Sequence, residues 1–293
     1  MVKGLIIVNA YSTLSSSLNQ ANRLKEEFDK LGVEVTVLKN SEFLCSIKNS
    51  NIECTAKNYD FCIYLDKDKF VSKMLEDAGV RLFNSHESIR VCDDKMETYI
   101  ALAGSGVPIV DTLPGPLCYV SGLAVLESVL DNVESELGYP VIVKSSYGSL
   151  GSGIFKADDR NELKKITNKL INSPHIYQKF IKESSGVDPR VIVIGGKAVA
   201  SMERRSTADF RSNIELGGKG YSVELSEEYK AVAEKTAKVL GLDYCGIDLL
   251  HSNGGAVVCE VNSNAFFGGI ESVTKVNVAS IYANHILNSI KKS

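Results

Sequence analysis

The sequence has no large excess of either charge: 33 Lys and Arg stand against 36 Asp and Glu, a formal net charge of −3 over 293 residues. A global pull toward nucleic acid or an anionic membrane is therefore excluded, although a local basic groove is not. Long apolar runs are missing as well. Residues 5–8 form the N-terminal apolar stretch. It is too short for a secretory signal, and no segment approaches the roughly 18 apolar residues of a membrane span. The expectation is a cytoplasmic protein that binds neither membrane nor nucleic acid. Histidine is scarce: His86, His175, His251 and His285 show no paired spacing, which argues against a zinc site. The seven cysteines are odd in number and include no Cys-x-x-Cys pair. They read as small buried hydrophobes in a reducing compartment. No glycine-rich turn follows the first apolar run, where Asn9-Ala10-Tyr11-Ser12 stands instead, so a dinucleotide fingerprint is absent. There is no internal repeat and no low-complexity tract.

What remains is ordinary globular material, 44% hydrophobic and 24% charged, able to bury a core without disulfide or metal staples. Up to residue 83, apolar runs at 5–8, 33–38, 61–65 and 80–83 alternate with helix-period segments at 18–31 and 71–78, closed by Gly32 and Gly79. Such alternation implies a parallel sheet covered by helices. From Ser85 the texture turns to α+β: helical stretches within 87–103, 123–137 and 161–171, and strands at 140–144, 154–156 and 175–181. The last third carries two hairpin signals, one around Gly195-Gly196 and one around Gly254-Gly255. A helix over 226–241 is marked by Ser226 as its cap, Glu227 and Glu228 in its first turn and Gly241 at its end, and another helix covers 276–290.

Three constellations carry chemistry. On the second hairpin, Asp248 follows Gly246-Ile247, while Glu260 and Asn262 flank Val261. Strand positions i and i+2 share a face, and pairing across the turn brings Asp248 opposite them. Hard oxygen donors so gathered suit Mg²⁺ or Mn²⁺. The competing reading is a solvated polar face. The apolar residues around Glu260 weigh against it, because a buried unpaired carboxylate is costly. Secondly, Lys144 ends an apolar strand and precedes a loop holding Gly148, Ser149, Gly151, Ser152 and Gly153. Small residues let backbone N–H groups close on phosphate, and the lysine adds a point charge. This is not a Walker A loop, since Val143 precedes Lys144; a flexible hairpin turn is the alternative. Thirdly, Arg204, Arg205 and Arg211 cluster with Asp209 and Asn213, suggesting an anion site or a solvated charged loop. Lys95 taken alone reads as a surface lysine. Gln178-Lys179-Phe180-Ile181 ends a strand, and Asp188 and Arg190 follow within a turn.

Taken jointly, these segments resemble the ATP-grasp superfamily, and more narrowly the RimK-like glutamate and amino-acid ligases. The matching positions run from about Lys95 to Ile290 and include Asp94-Lys95, Lys144 with its glycine loop, Asp209-Phe210-Arg211-Ser212-Asn213, Gly217-Gly218, Gly246-Ile247-Asp248 and Glu260-Val261-Asn262. The resemblance implies an α/β and α+β chain: an N-terminal Rossmann-like parallel-sheet domain (1–92), a central and lid subdomain (93–181) and a catalytic subdomain (182–293). It implies that Lys95 and Lys144 hold the α- and β-phosphates of ATP, with Gly148, Ser149, Gly151, Ser152 and Gly153 folded over the triphosphate. Gln178 and the backbone of Lys179, Phe180 and Ile181 would bind adenine, and Asp188 the ribose, with Arg190 beside it. Arg211 and Asn213 would face the γ-phosphate and acyl substrate, and Asp248, Glu260 and Asn262 would ligate two Mg²⁺ or Mn²⁺ ions. Lys179 stands where RimK-like proteins often have an acidic residue. Phe266 and Phe267 stand where the ribosomal-protein-modifying members have a Pro/Gly-richer turn, which points to a different acceptor pocket.

The implied reaction joins a carboxylate to an amine through an acyl phosphate while ATP becomes ADP. Its partners would be ATP, a carboxylate substrate, an amino-acid amine donor such as glutamate, and a second copy of the chain. Two other readings stay open: a non-catalytic nucleotide sensor or scaffold, and a carboxylate phosphotransferase that ligates no amine. No general base and no N-terminal site residue can be read.

Overall fold

The computed structural model describes residues 2–148, 151 and 153–291, with the Glu215 side chain left aside. The chain opens with β1 (Lys3–Val8), α1 (Ser15–Lys30) and β2 (Glu34–Lys39), then a hairpin of β3 (Cys45–Lys48) and β4 (Asn51–Cys54). β5 (Phe61–Leu65), α2 (Lys69–Asp77) and β6 (Leu82–Phe83) follow. β2, β1, β5 and β6 lie side by side in a parallel sheet. Alternate residues of β1 face opposite layers: Ile6 and Val8 pack with Leu24 and Phe28 of α1, and Leu5 and Ile7 pack with Leu75 of α2. Burial on both faces explains the unbroken apolar run. The β3–β4 hairpin has no counterpart in the sequence reading. Its turn residues Asn49 and Ser50 both have positive φ, 50° and 61°, a geometry usually flagged by Asn-Gly. Serine in the second place hides that signal.

The helical stretch expected within 87–103 is two helices, α3 (His86–Asp93) and α4 (Lys95–Leu102). Asp94 between them is extended, and its carboxylate accepts from the N–H groups of Met96 and Glu97. It therefore ends one helix and caps the next, which places Lys95 at the start of α4.

A second sheet joins β7 (Thr112–Pro114), β10 (His175–Lys179), β8 (Val141–Ser145) and β9 (Ile154–Ala157) in that spatial order. α5 (Glu127–Leu137) and α6 (Arg160–Leu170) cover it through Leu130, Val133 and Leu163. α5 starts at Glu127 rather than at 123, because the Asn168 side chain of α6 takes up the Val125 N–H at 2.8 Å and holds that segment extended.

The third sheet is antiparallel, ordered β13 (Lys219–Ser222), β12 (Lys197–Arg205), β11 (Val187–Ile194), β14 (Tyr244–Ser252), β15 (Gly255–Asn262). β11 begins earlier than expected, so Asp188 and Arg190 sit on a central strand and not in a turn. α7 (Glu227–Val239) covers one face through Ala233 and Ala237. Its cap position, Ser226, is extended but makes no side-chain hydrogen bond. α8 (Gly268–Thr274) and α9 (Val278–Ile290) cover the other face, where Ile192, Met202 and Tyr244 share one apolar cluster with Ile6, Phe28 and Phe61 of the first sheet. Buried Asn84 fastens the same junction. Its amide donates to the carbonyls of Tyr244 and Ser263, and its oxygen accepts from the N–H groups of Asp243 and Tyr244. All seven cysteines are free thiols, and Cys54, Cys62, Cys92 and Cys245 are buried. Among the described residues no helix is long and apolar enough to cross a membrane.

Candidate active site

The third sheet sets out its polar residues in register. Arg190 lies opposite Asp248, Asp248 opposite Glu260, and Asp188 opposite Arg204. Asp248 is 3% exposed. Its Oδ1 accepts from Arg190 Nε at 2.6 Å, and its Oδ2 from Arg190 Nη2 at 2.8 Å. Arg204 Nη2 lies 2.8 Å from the same Oδ2, and Arg204 also grips both oxygens of Asp188, at 2.6 and 2.7 Å. Two guanidinium groups and two carboxylates thus neutralise one another away from water. Burial pushes the Asp248 carboxyl up, but Arg190 and Arg204 outweigh it and hold its pKa at about 2. The clustered arginines of the sequence therefore do not form one anion site. Arg204 is locked in this quartet, Arg205 pairs with Glu203 over the Tyr221 ring, and Arg211 pairs with Asp209. A buried cation recruits the nearest carboxylate, since unpaired burial is prohibitive.

A β-bulge shapes the metal-ligand candidates. Asp248 pairs with Glu260 but Leu249 pairs with Val258, which leaves Cys259 as the extra residue. The bulge breaks the alternation, so Cys259 and Glu260, adjacent in sequence, both line one cleft. Lys144 is 6% exposed, with its Nζ 3.5 Å from Cys259 Sγ. Burial lowers its pKa, but Cys259, Tyr99 and Glu260 more than offset that and keep the ammonium charged. Lys95 is also buried rather than a surface lysine, with its Nζ 3.6 Å from Glu260 Oε1 and 3.2 Å from the Gly148 carbonyl.

The cleft lies between the second and third sheets and opens to solvent. Val110, Ile142, Ile154, Phe180, Ile181 and Leu250 form an apolar part; Lys144, Asp188, Arg211, Asn213, Asp248 and Glu260 form a polar part. Gln178 also lines it and donates to Thr112 Oγ1 at 2.8 Å, while the Lys179 N–H is already given to the Asp111 carbonyl at 3.1 Å. Arg211 Nη1 donates to the Gly151 carbonyl at 2.9 Å. Gly151 has φ +75°, and a Cβ there would come within 3.0 Å of Asn213 Oδ1, so only glycine lets the loop approach so closely. Ser149 and Ser152 lie outside the described residues.

Asn262 pairs with Gly246 and lines a second, solvent-open cavity whose wall also includes Asn213 and Glu260. The two hollows therefore meet at Glu260 and Asn213. The far wall is built by the first sheet and α1, through Asn9, Ser12, Ser17, Gln20, Asp66 and Lys67. No sequence signal marks these residues, because each is an ordinary polar side chain and they are scattered along the chain. Of the two aromatics after Asn262, Phe266 lines this cavity, whereas Phe267 is buried against Tyr244.

The family model for the RimK-like ATP-grasp domain matches residues 78–286. The chain belongs to the RimK-like ATP-grasp family. Its relatives include N-acetylaspartylglutamate synthase A of Homo sapiens, 39% identical over 226 residues, with 76% of this chain and 56% of the relative aligned. Beta-citrylglutamate synthase B of Danio rerio is 38% identical, with 76% and 54% aligned. The matched region thus spans little more than half the length of those relatives. "Probable alpha-L-glutamate ligase 2" of Pseudoalteromonas atlantica is 31% identical, with 94% of both chains aligned. The fold is shared with a RimK-domain ATP-grasp protein from Sphaerobacter thermophilus, with a TM-score of 0.72 and 17% identity over 98% of this chain and 100% of that one. It is shared too with D-alanine–D-alanine ligase of Bacillus anthracis, with a TM-score of 0.73 and 19% identity over 100% and 97%.

Proposed function

We propose that this RimK-like ATP-grasp protein is an ATP- and Mg²⁺-dependent carboxylate–amine ligase that adds glutamate to a small acid or to a peptide carboxylate. The observation that carries the reading is the junction of the two cavities at Glu260 and Asn213. A nucleotide with adenine among Val110, Ile142, Phe180 and Leu250 directs its phosphates to Lys144 and Lys95. Its γ-phosphate then reaches the junction, with acyl substrate and amine in the second cavity. The donor set fits a divalent cation: Asp248, Glu260 and Asn262 offer hard oxygens on paired strands. Bound there, the ion would neutralise phosphate charge, as phosphoryl transfer requires. Asp248 already serves two arginines, so Glu260 and Asn262 are the freer donors. In this reading residues 1–92 supply the amine and carboxylate wall, 93–181 the glycine loop and Lys144, and 182–293 the metal strands. The names of the relatives, glutamate ligases and synthases of glutamate conjugates, support glutamate as the amine.

The test is ADP release with L-glutamate and, in turn, N-acetylaspartate, citrate and peptides with free C-termini, followed by mass spectrometry. ADP release that needs both substrates, with a product heavier by one glutamate residue, is expected. A phosphorylated product without glutamate would select the phosphotransferase reading, and no turnover with any acceptor the sensor reading. Lys144→Met keeps the volume and removes the charge. It is expected to weaken ATP binding by about 10- to 100-fold in calorimetry, the worth of one charged hydrogen bond; unchanged affinity would remove Lys144 from the phosphate site.

A further inference from the structure

Two of the seven cysteines face each other on the β3–β4 hairpin, where Cys45 and Cys54 are register partners. The pair beside them is hydrogen-bonded, with the Thr55 N–H donating to the Leu44 carbonyl at 2.9 Å. Antiparallel pairs alternate, so Cys45 and Cys54 form a non-hydrogen-bonded pair, in which Cα atoms stand about 4.5 Å apart. That separation lies within the range of about 4.4–6.8 Å that a disulfide spans. The Cys45 thiol already donates to Cys54 Sγ at 2.7 Å. The hairpin is a sheet of its own, with two strands paired only to each other among the described residues. Such a hairpin is marginal without further packing. Its inner end rests on α2, where Cys54 shares an apolar cluster with Leu75 and Cys45 packs against that cluster. Its outer end is bare, with Ile47 72% exposed. The two thiols differ in access: Cys45 is partly exposed, whereas Cys54 is buried. Cys62 on β5, in the same cluster, is fully buried.

We propose that Cys45 and Cys54 are a dithiol that closes to a disulfide clamp across the hairpin, with a low-molecular-weight disulfide such as oxidised glutathione as the oxidant. The clamp stands whether or not the chain is a ligase. Cys45, the reachable thiol, loses its proton and attacks one sulfur of the oxidant. One glutathione thiolate leaves, and a mixed disulfide remains on Cys45. Cys54 then loses its proton and attacks Cys45 Sγ, and the second glutathione thiolate leaves. The two thiolates take up the two protons, so the cysteines give two electrons and the oxidant gains them. Burial and the Cys54 thiol push the Cys45 pKa up to about 12. Little thiolate exists at neutral pH, and closure is slow there. A reducing compartment keeps the pair open.

The experiment treats the full chain with oxidised glutathione at about pH 8.5, where thiolate is more abundant. Remaining thiols are then blocked, and the unreduced protein is digested with trypsin for mass spectrometry. Cleavage after Lys39, Lys48 and Lys57 releases peptides 40–48 and 49–57, each with a single cysteine. They are expected to emerge joined, and to separate on treatment with dithiothreitol. The oxidised chain is expected to melt about 5 °C higher than the reduced one, because closing a short loop restricts the unfolded chain. Cys45→Ser, close in size, is expected to show no such rise. Reversal of both effects by dithiothreitol tests the clamp in wild type without any variant. Peptides that stay separate, a link to Cys62 instead, or a joined hairpin with an unchanged melting temperature would overturn the proposal.

Discussion

Glu260→Gln is expected to lower glutamate-dependent turnover by about 10²- to 10³-fold, the usual loss when one electrostatic stabiliser of a transition state is removed. The substitution keeps shape and removes one charge at the point where the two cavities meet. It also leaves the buried Lys95, whose Nζ stands 3.6 Å from Glu260 Oε1, without that counter-charge, so a loss of stability accompanies the loss of turnover. Steady-state ADP release at saturating Mg²⁺ together with a thermal melt separates the two effects. Wild-type turnover in the variant would remove Glu260 from the site and, with it, the metal-strand proposal.

Asp248→Asn has the opposite profile: stability falls first and furthest. Loss of this carboxylate leaves Arg190 and Arg204 buried with only Asp188 to compensate them, and breaking a buried ion-pair network typically costs about 3–5 kcal/mol. Urea unfolding at neutral pH measures it. The acid dependence follows from the same contact. The Asp248 pKa is depressed from 3.8 to about 2 by the two guanidinium groups, against the effect of burial. A depressed carboxyl contributes stability above its unfolded pKa and loses it as pH falls through the folded one. The share of stability that Asp248 contributes should therefore be lost between about pH 4 and pH 2, and Asp248→Asn should lose less over that interval. Equal stability of variant and wild type would show that the quartet bears no weight in the fold.

The contrast between these neighbours shows how much of the site was readable. Asp248, Glu260 and Asn262 stood out because a Gly-Gly turn between two apolar runs implies a hairpin, and a hairpin with i, i+2 polar positions implies one polar face. That Asp248 carries two arginines could not be read, because Arg190 and Arg204 come from strands some 40 to 60 residues earlier in the sequence. Nor could the bulge at Cys259, since a strand pattern assumes strict alternation and one extra residue shifts every facing residue beyond it. Lys95 was misjudged in isolation for a local reason. Only the cap made by Asp94 turns a continuous amphipathic stretch into two helices and points the lysine inward.

By itself the sequence determined most of the order of strands and helices, though not the β3–β4 hairpin, β7, β13 or α8, together with the parallel nature of the first sheet and the residues with ligand chemistry, because periodicity, glycine turns and donor type are local properties. Only the tertiary structure decided which of those side chains are free to meet a ligand and which are spent on one another. It alone built the second cavity from Asn9, Gln20, Asp66 and Glu260. Charge neutralisation and cavity walls depend on distances between residues far apart in the chain, and no local pattern encodes those distances.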